Sequence, residues 1–182
     1  MRRIGGLAER VGKQKWAEPA EASPAQHGGE KAQLIVAEIV KQTGSRSVSD
    51  YGAGKCNLLK GLREAGVTDI EYLPYDPVFP EYGEPRPADL VCCIDVLEHI
   101  EPELLDNVLD DLQRIVVKRA FVSVSTTAAM KVLPDGRNAH LIQQPRSWWL
   151  IKLAQRFEVE HLQTLAQRTG FWAVLERRAS LA

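Results

Sequence analysis

The stretch Ser47-Val48-Ser49-Asp50-Tyr51-Gly52-Ala53-Gly54-Lys55-Cys56-Asn57 constrains the fold of this chain more than any other. A short β-type run enters two glycines, and a helical pattern begins at once with Leu58, Leu59 and Leu62. Gly52 and Gly54 carry no Cβ and tolerate positive φ, so the backbone can turn sharply and lie against a ligand. The following helix aims unpaired N–H groups and the positive end of its dipole at whatever sits there. A strand–glycine turn–helix unit of this kind is a ligand site, although Gly-x-Gly pairs also occur in plain turns.

The order of the pieces downstream sharpens that reading. A second strand is expected over roughly 70–75, and Asp76 closes it. A carboxylate there can accept both hydroxyls of a ribose; the alternative is an exposed turn aspartate before Pro77. A buried-type strand follows over 89–94, closed by Asp95-Val96-Leu97-Glu98-His99.

Taken together, Asp50-x-Gly52-x-Gly54 and Asp95-Val96-Leu97-Glu98-His99 resemble the class I S-adenosylmethionine (SAM) dependent methyltransferases over about residues 30–178. The resemblance implies a Rossmann-like, doubly wound α/β sheet, mostly parallel, with an antiparallel C-terminal hairpin. It implies SAM as cofactor, held by Asp50, Gly52, Gly54, Asp76 and Asp95. Cys56 stands where the third glycine of the family pattern often sits.

The pattern along the chain agrees with such a sheet. Residues 1–29 are breaker-rich and read as a flexible N-terminal arm, leaving 30–182 as the methyltransferase domain. Ala32, Ile35, Val36, Ile39 and Val40 predict a helix over 30–43, and Leu104 to Val116 trace one helix face from near Pro102. A strand follows at 120–124, a polar segment spans 126–144, and Pro145 opens a helix carrying Trp148 and Trp149. Segments 157–163 and 170–176 read as a hairpin. Between Asp76 and Asp89 lie twelve residues with Pro77, Pro80, Pro85 and Pro87. That is too short and proline-rich for the helix and strand the family usually has there, so a trimmed sheet is expected. The adenine-binding residues are thereby left unassigned, with the N-terminal arm as the available wall.

Asp95, Glu98 and His99 fall where a transferred methyl group should lie, and two readings stay open. Glu98 and His99 cap the next helix, or they are chemical. The ubiquinone-pathway O-methyltransferases and small-RNA 2′-O-methyltransferases carry an acid-x-x-Glu-His set here, and the RNA enzymes add a later histidine to complete a metal site. By that resemblance Asp95, Glu98, His99 and His140 would hold Mg²⁺ or Mn²⁺. A metal-free base, His99 or His140 with Asp95 beside it, is the competing assignment. The acceptor is then an oxygen, less readily a nitrogen, of a small molecule, a sugar or an RNA end.

Composition narrows the partners. A net charge of −1 over 182 residues provides no field for non-specific nucleic-acid binding. No Pro-Pro-Tyr or Pro-Pro-Phe follows the strand at 89–94, which argues against DNA amines as acceptors. Three cysteines, with Cys92 and Cys93 adjacent in a buried strand, read as reduced core residues of a cytoplasmic protein. No apolar run has the length of a membrane span. A non-catalytic SAM-binding subunit and a nucleotide-dependent oxidoreductase remain as alternatives.

Overall fold

A computed structural model describes residues 28–178. In chain order these form α1 (Gly28–Thr43), β1 (Ser47–Tyr51), α2 (Asn57–Glu64), β2 (Glu71–Tyr75), a 3₁₀ turn (Pro80–Tyr82), β3 (Ala88–Ile94), two further 3₁₀ turns (Leu97–His99, Pro102–Leu104), α3 (Leu105–Ile115), β4 (Val116–Ser125), α4 (Arg146–Ala154), β5 (Phe157–Thr164) and β6 (Gly170–Arg177). A last 3₁₀ turn, Ala166–Arg168, joins β5 to β6. The sheet order is β2-β1-β3-β4-β6-β5, with β2, β1, β3 and β4 parallel and β6 antiparallel to both neighbours.

Helices cover both faces, so the central strands are apolar on both sides. In β3, Leu90 and Cys92 face α1 and α2 together with Val36, Ile39, Leu58 and Leu62. Val91 and Cys93 face α3 and α4, with Leu105, Leu109, Leu112, Trp149 and Leu153. Both cysteines are free and fully buried.

β2 is an edge strand, because residues 77–87 supply no further strand and no α-helix beyond it. Pro74 is tolerated there, since an edge residue can lack a ladder donor without loss. The expected trimming is therefore present. The expected N-terminal wall falls on residues 1–27, outside the described part, apart from Gly28 and Gly29, which open α1. Glycine costs least in a first turn, where N–H groups lack intrahelical partners anyway.

Two boundaries differ from the sequence expectation. Pro102–Leu104 is a 3₁₀ turn and α3 proper starts at Leu105. Val116 is not the last helical residue but the first of β4 (φ −72°, ψ 115°). The chain passes from helix to strand without a loop because Val116 and Val117 are β-branched and β4 needs Val116 opposite Ala88. The hairpin, the helix after Pro145 and strands β1 to β3 lie within a residue or two of where periodicity puts them.

Candidate active site

Between β1 and β3 the strand order reverses: β2 lies to one side of β1, β3 and β4 to the other. Ligands of open α/β sheets bind beyond the carboxyl ends of the strands at this point. The glycine turn occupies it. Gly52 and Ala53 donate to the Tyr75 carbonyl at 2.8 and 3.0 Å, which ties the turn to the end of β2. Gly52 (φ 86°) and Gly54 (φ 49°) are left-handed. They are glycines for different reasons. A Cβ on Gly52 would run into the isopropyl group of Val96, with Cγ1 at 3.2 Å and Cγ2 closer still. At Gly54 a Cβ would meet nothing within 4 Å, so the backbone faces open space. Cys56, the N-cap of α2, also has positive φ (56°), the conformation a third glycine would adopt freely.

Two carboxylates flank the turn. Asp76 accepts the Gly54 N–H at 2.9 Å through Oδ2 and the Val78 N–H at 2.9 Å through Oδ1. The second bond is that of a turn aspartate; the first braces the glycine loop. Asp50 is 4% exposed and accepts the Tyr72 hydroxyl. Burial pushes its pKa up to about 6, the Tyr72 bond opposes the rise, and the charge of Asp76 adds to it.

The second half of the site sits at the ends of β3 and β4. Asp95 has positive φ (52°), its N–H donates to the Ser123 carbonyl, and its Oδ1 accepts the Ser123 hydroxyl at 2.7 Å. Its side chain is thus turned along β4. Glu98 is completely buried. Its Oε1 accepts the Ser125 N–H at 2.7 Å, while Oε2 is buried with no hydrogen-bond partner. Burial is the main reason its pKa rises to about 7; the Ser125 bond lowers it and the charge of Asp95 raises it.

The two histidines complete this half. The His99 Nδ1 lies 2.8 Å from the Ala139 carbonyl and the His140 Nδ1 2.5 Å from the Thr127 carbonyl. A carbonyl only accepts, so each Nδ1 carries the proton and each Nε2 keeps a free lone pair. The rings meet edge to face with centroids 4.8 Å apart. Among the described residues, Glu98, His99 and His140 form the one cluster of potential metal ligands, one donor atom of each lying within 4.8 Å of the others. Asp95 stands outside it, so three of the four residues expected from the sequence come together. The cluster fits a divalent cation on its own chemistry: a buried carboxylate with one unpartnered oxygen lies close to two imidazoles, each with one nitrogen fixed by a backbone carbonyl.

Segment 126–144 places His140. Val132 and Asn138 form an isolated antiparallel bridge, and Asn138 binds both polar groups of Ala129 at 2.9 and 2.8 Å. The His140 N–H donates to Asn138 Oδ1 at 2.9 Å, and the Ile142 N–H donates to the Glu98 carbonyl at 3.0 Å. Arg137 grips Glu101 with both terminal nitrogens at 2.8 and 2.9 Å. Asn138 and Arg137, two residues open to a substrate role on sequence grounds, are thus engaged within the protein. Trp149 is wholly buried and Trp148 half-buried under Lys152. Sequence reasoning missed Ser123, Ser125 and Tyr72. Ser123 and Ser125 end a strand, where serine carries no signal of its own, and Tyr72 reads as an ordinary strand residue.

A family model described as a methyltransferase domain matches residues 21–176. No functionally curated protein matches the sequence. Among solved structures, the mitomycin 7-O-methyltransferase MmcR superposes with a TM-score of 0.58 at 15% identity, over 82% of this chain and 54% of that one. This chain therefore spans about half the length of that protein. The 1,6-didemethyltoxoflavin-N1-methyltransferase of Burkholderia thailandensis, solved with S-adenosylhomocysteine (SAH), has a TM-score of 0.59 at 16% identity, covering 83% and 80%. The methyltransferase domain of bacterial CtHen1-C has a TM-score of 0.55 at 16% identity, covering 82% and 98%. At these identities the likeness is one of fold, while the family match extends over most of the sequence. No helix among the described residues is long and apolar enough to cross a membrane. With the glycine turn, the two flanking carboxylates and the sheet order in place, the chain belongs to the methyltransferase-domain family, that of the class I SAM-dependent methyltransferases.

Proposed function

We propose that this protein moves a methyl group from SAM to a hydroxyl oxygen of a small-molecule, sugar or RNA-end acceptor, with a divalent cation at Glu98, His99 and His140. The observation that carries the reading is the unpartnered Oε2 of a fully buried Glu98 beside two imidazoles that present free Nε2 atoms. A buried carboxylate oxygen without a donor is costly, and a cation relieves that cost.

Asp50 and Asp76 would hold the polar groups of SAM, and Gly54 leaves room for it to approach the backbone. In the transfer a bond forms between the acceptor oxygen and the methyl carbon as the carbon–sulfur bond breaks. The electron pair goes to sulfur, giving neutral SAH, and the hydroxyl proton leaves to a base or to solvent. Such a displacement depends on alignment of the acceptor with the sulfur–carbon bond. When bound, a divalent cation at the cluster would supply Lewis acidity that makes the hydroxyl a better nucleophile at neutral pH. Two imidazoles with one carboxylate weigh toward Mn²⁺ over Mg²⁺, which keeps to oxygen donors.

Transfer of tritiated methyl from SAM to a panel of catechols, sugars and RNA 3′ ends, with and without EDTA, tests this reading. Activity on an oxygen acceptor that EDTA abolishes and Mn²⁺ restores is the expected result. Chelator-insensitive activity would instead assign His99 or His140 as a metal-free base. SAH formation with an amine acceptor alone would overturn the oxygen assignment.

A further inference from the structure

Among the described residues, the connection between β2 and β3 holds no α-helix or strand to wall the adenine side of the cofactor pocket, and what stands there is specific in structure. We propose that the shortened connection 77–87 is itself the adenine wall, and that Phe79 and Tyr82 are the side chains that contact the base. The proposal rests on the SAM reading above.

The first argument is position. The connection leaves the carboxyl end of β2 directly after Asp76, on the side of β1 away from β3, and folds back over the glycine turn. The Tyr82 hydroxyl donates to the Gly54 carbonyl at 3.0 Å, and the Cys56 thiol lies 3.4 Å from the same hydroxyl. Gly54 is therefore held from both sides by this segment, through its N–H by Asp76 and through its C=O by Tyr82. A nucleoside whose ribose reaches Asp76 has its base directed at residues 79–82.

The second argument is that the segment is built. Asp76 receives the Val78 N–H on its side chain and the Phe79 N–H on its carbonyl at 3.0 Å. The Tyr82 N–H bonds the Phe79 carbonyl at 3.0 Å, the Gly83 N–H bonds the Pro80 carbonyl at 3.1 Å, and Pro85 is buried. Four prolines restrict what remains.

The third argument is chemical. Phe79 and Tyr82 stack with centroids 5.3 Å apart and planes 19° from parallel. Neither belongs to either core cluster, and both are half-buried. Two aromatic rings held parallel outside the core, next to a carboxylate and an open glycine backbone, suit a purine. Aromatic faces bind any base by stacking, and each such contact is worth about 1–3 kcal/mol.

The test uses two ligands that differ by the base alone: SAH, and S-ribosylhomocysteine, which keeps the ribose and homocysteine but has no adenine. Binding of each is measured by calorimetry to the full chain and to Phe79→Ala, Tyr82→Ala and Tyr82→Phe, with circular dichroism checking the fold. Phe79→Ala should weaken SAH by about five- to hundredfold and leave S-ribosylhomocysteine within about twofold of wild type, and Tyr82→Ala, which also frees the Gly54 carbonyl, should weaken SAH by a similar factor more than it weakens S-ribosylhomocysteine. Tyr82→Phe, which keeps the ring and loses the bond to Gly54, should keep the wild-type ratio of SAH to S-ribosylhomocysteine affinity, any loss of the brace falling equally on both ligands. Equal losses for both ligands would make the pair a brace for Gly54 and overturn the proposal. Unchanged SAH binding in Phe79→Ala and Tyr82→Ala would overturn it too. If Tyr82→Ala fails to fold, Phe79→Ala decides. If wild type binds neither ligand, the SAM reading itself fails, which is a different result from wild-type binding that the variants leave untouched.

Discussion

Glu98, in the 3₁₀ turn Leu97–His99 that follows β3, accepts the backbone N–H of Ser125 at the end of β4 with one carboxylate oxygen, at 2.7 Å, and leaves the other buried without a donor. Half of this side chain ties the turn to the end of β4, and half is held in reserve. Stability and function should therefore pull apart at this residue. Glu98→Gln keeps an acceptor for Ser125 and removes a carboxylate from a site with no exposure. Its apo form should melt higher, by about 1–2 kcal/mol of stability. Methyl transfer should fall by at least about a hundredfold. Calorimetry and a transfer assay on the same preparation read both; a lower melting temperature with activity retained would make Glu98 purely structural.

His140→Ala should lose cation and rate together. Mn²⁺ binding followed by electron paramagnetic resonance should weaken at least about tenfold, since one of the three proposed ligands and its carbonyl-fixed tautomer are gone. Asp95→Asn should leave Mn²⁺ binding nearly intact, because Asp95 is engaged with Ser123 and lies outside the cluster. Equal losses in the two variants would restore Asp95 to the ligand set.

Gly52 and Gly54 should respond differently to alanine. At Gly52 the new methyl meets Val96 and the φ of 86° is unfavourable for an L residue. Gly52→Ala should cost about 2–4 kcal/mol, the sum of overpacking and left-handed strain. Val96→Ala in the same chain should recover part of that loss. Gly54→Ala, with nothing within 4 Å of its Cβ, should cost about 1–2 kcal/mol from φ alone. It should still remove most of the thermal shift that SAH produces, because the methyl enters the ligand's space. Chemical denaturation of the four proteins with and without SAH checks both claims.

Asp50 provides a pH signature. Its pKa is about 6 in the fold against 3.8 in the unfolded chain, with burial the largest cause. The folded state then binds the extra proton between those values. This contribution is complete below about pH 4 and is lost as pH rises through 6, about 3 kcal/mol in all. Asp50→Asn should remove this share of the pH dependence, leaving the slope that Glu98, raised by its own burial, contributes between about pH 4.5 and 7, and should raise stability at pH 7.5. If ionised Asp50 serves the cofactor's ammonium group, wild-type SAH affinity should fall below pH 6 and the variant should show no such step. A wild-type stability curve flat from pH 4 to 7 would contradict the burial argument.

Asn138 should act on rate without acting on the fold. It makes three hydrogen bonds inside segment 126–144, one of them to the His140 N–H. Asn138→Ala should leave the melting temperature within about 2–3 °C, since the segment contributes little to the core. The transfer rate should drop about tenfold as His140 loses its fixed place. A large fall in melting temperature with unchanged rate would reverse that assignment.

Local patterns in the sequence determined the elements and their order. Apolar period 3.6 marks α1, α2 and α3, a short β-type run with Val48 and Tyr51 marks β1, an apolar run marks β3, and the glycine pair marks the turn between β1 and α2. These signals are legible because each depends on neighbours a few residues away. The four prolines likewise excluded a regular helix and strand between Asp76 and Ala88. Tertiary structure alone decided which side chains meet. Glu98 and His99 reach His140 because β3 and β4 lie side by side and Ala139 and Thr127 offer carbonyls to the two rings. Asp95 carries the same motif signal as Glu98, yet a positive φ and the Ser123 hydroxyl turn it aside. Gly52 reads as a ligand glycine in the sequence, and its contact with Val96 exists only once β1 and β3 are paired. Burial, backbone acceptors and close approach are properties of a packed sheet, and no local pattern encodes them.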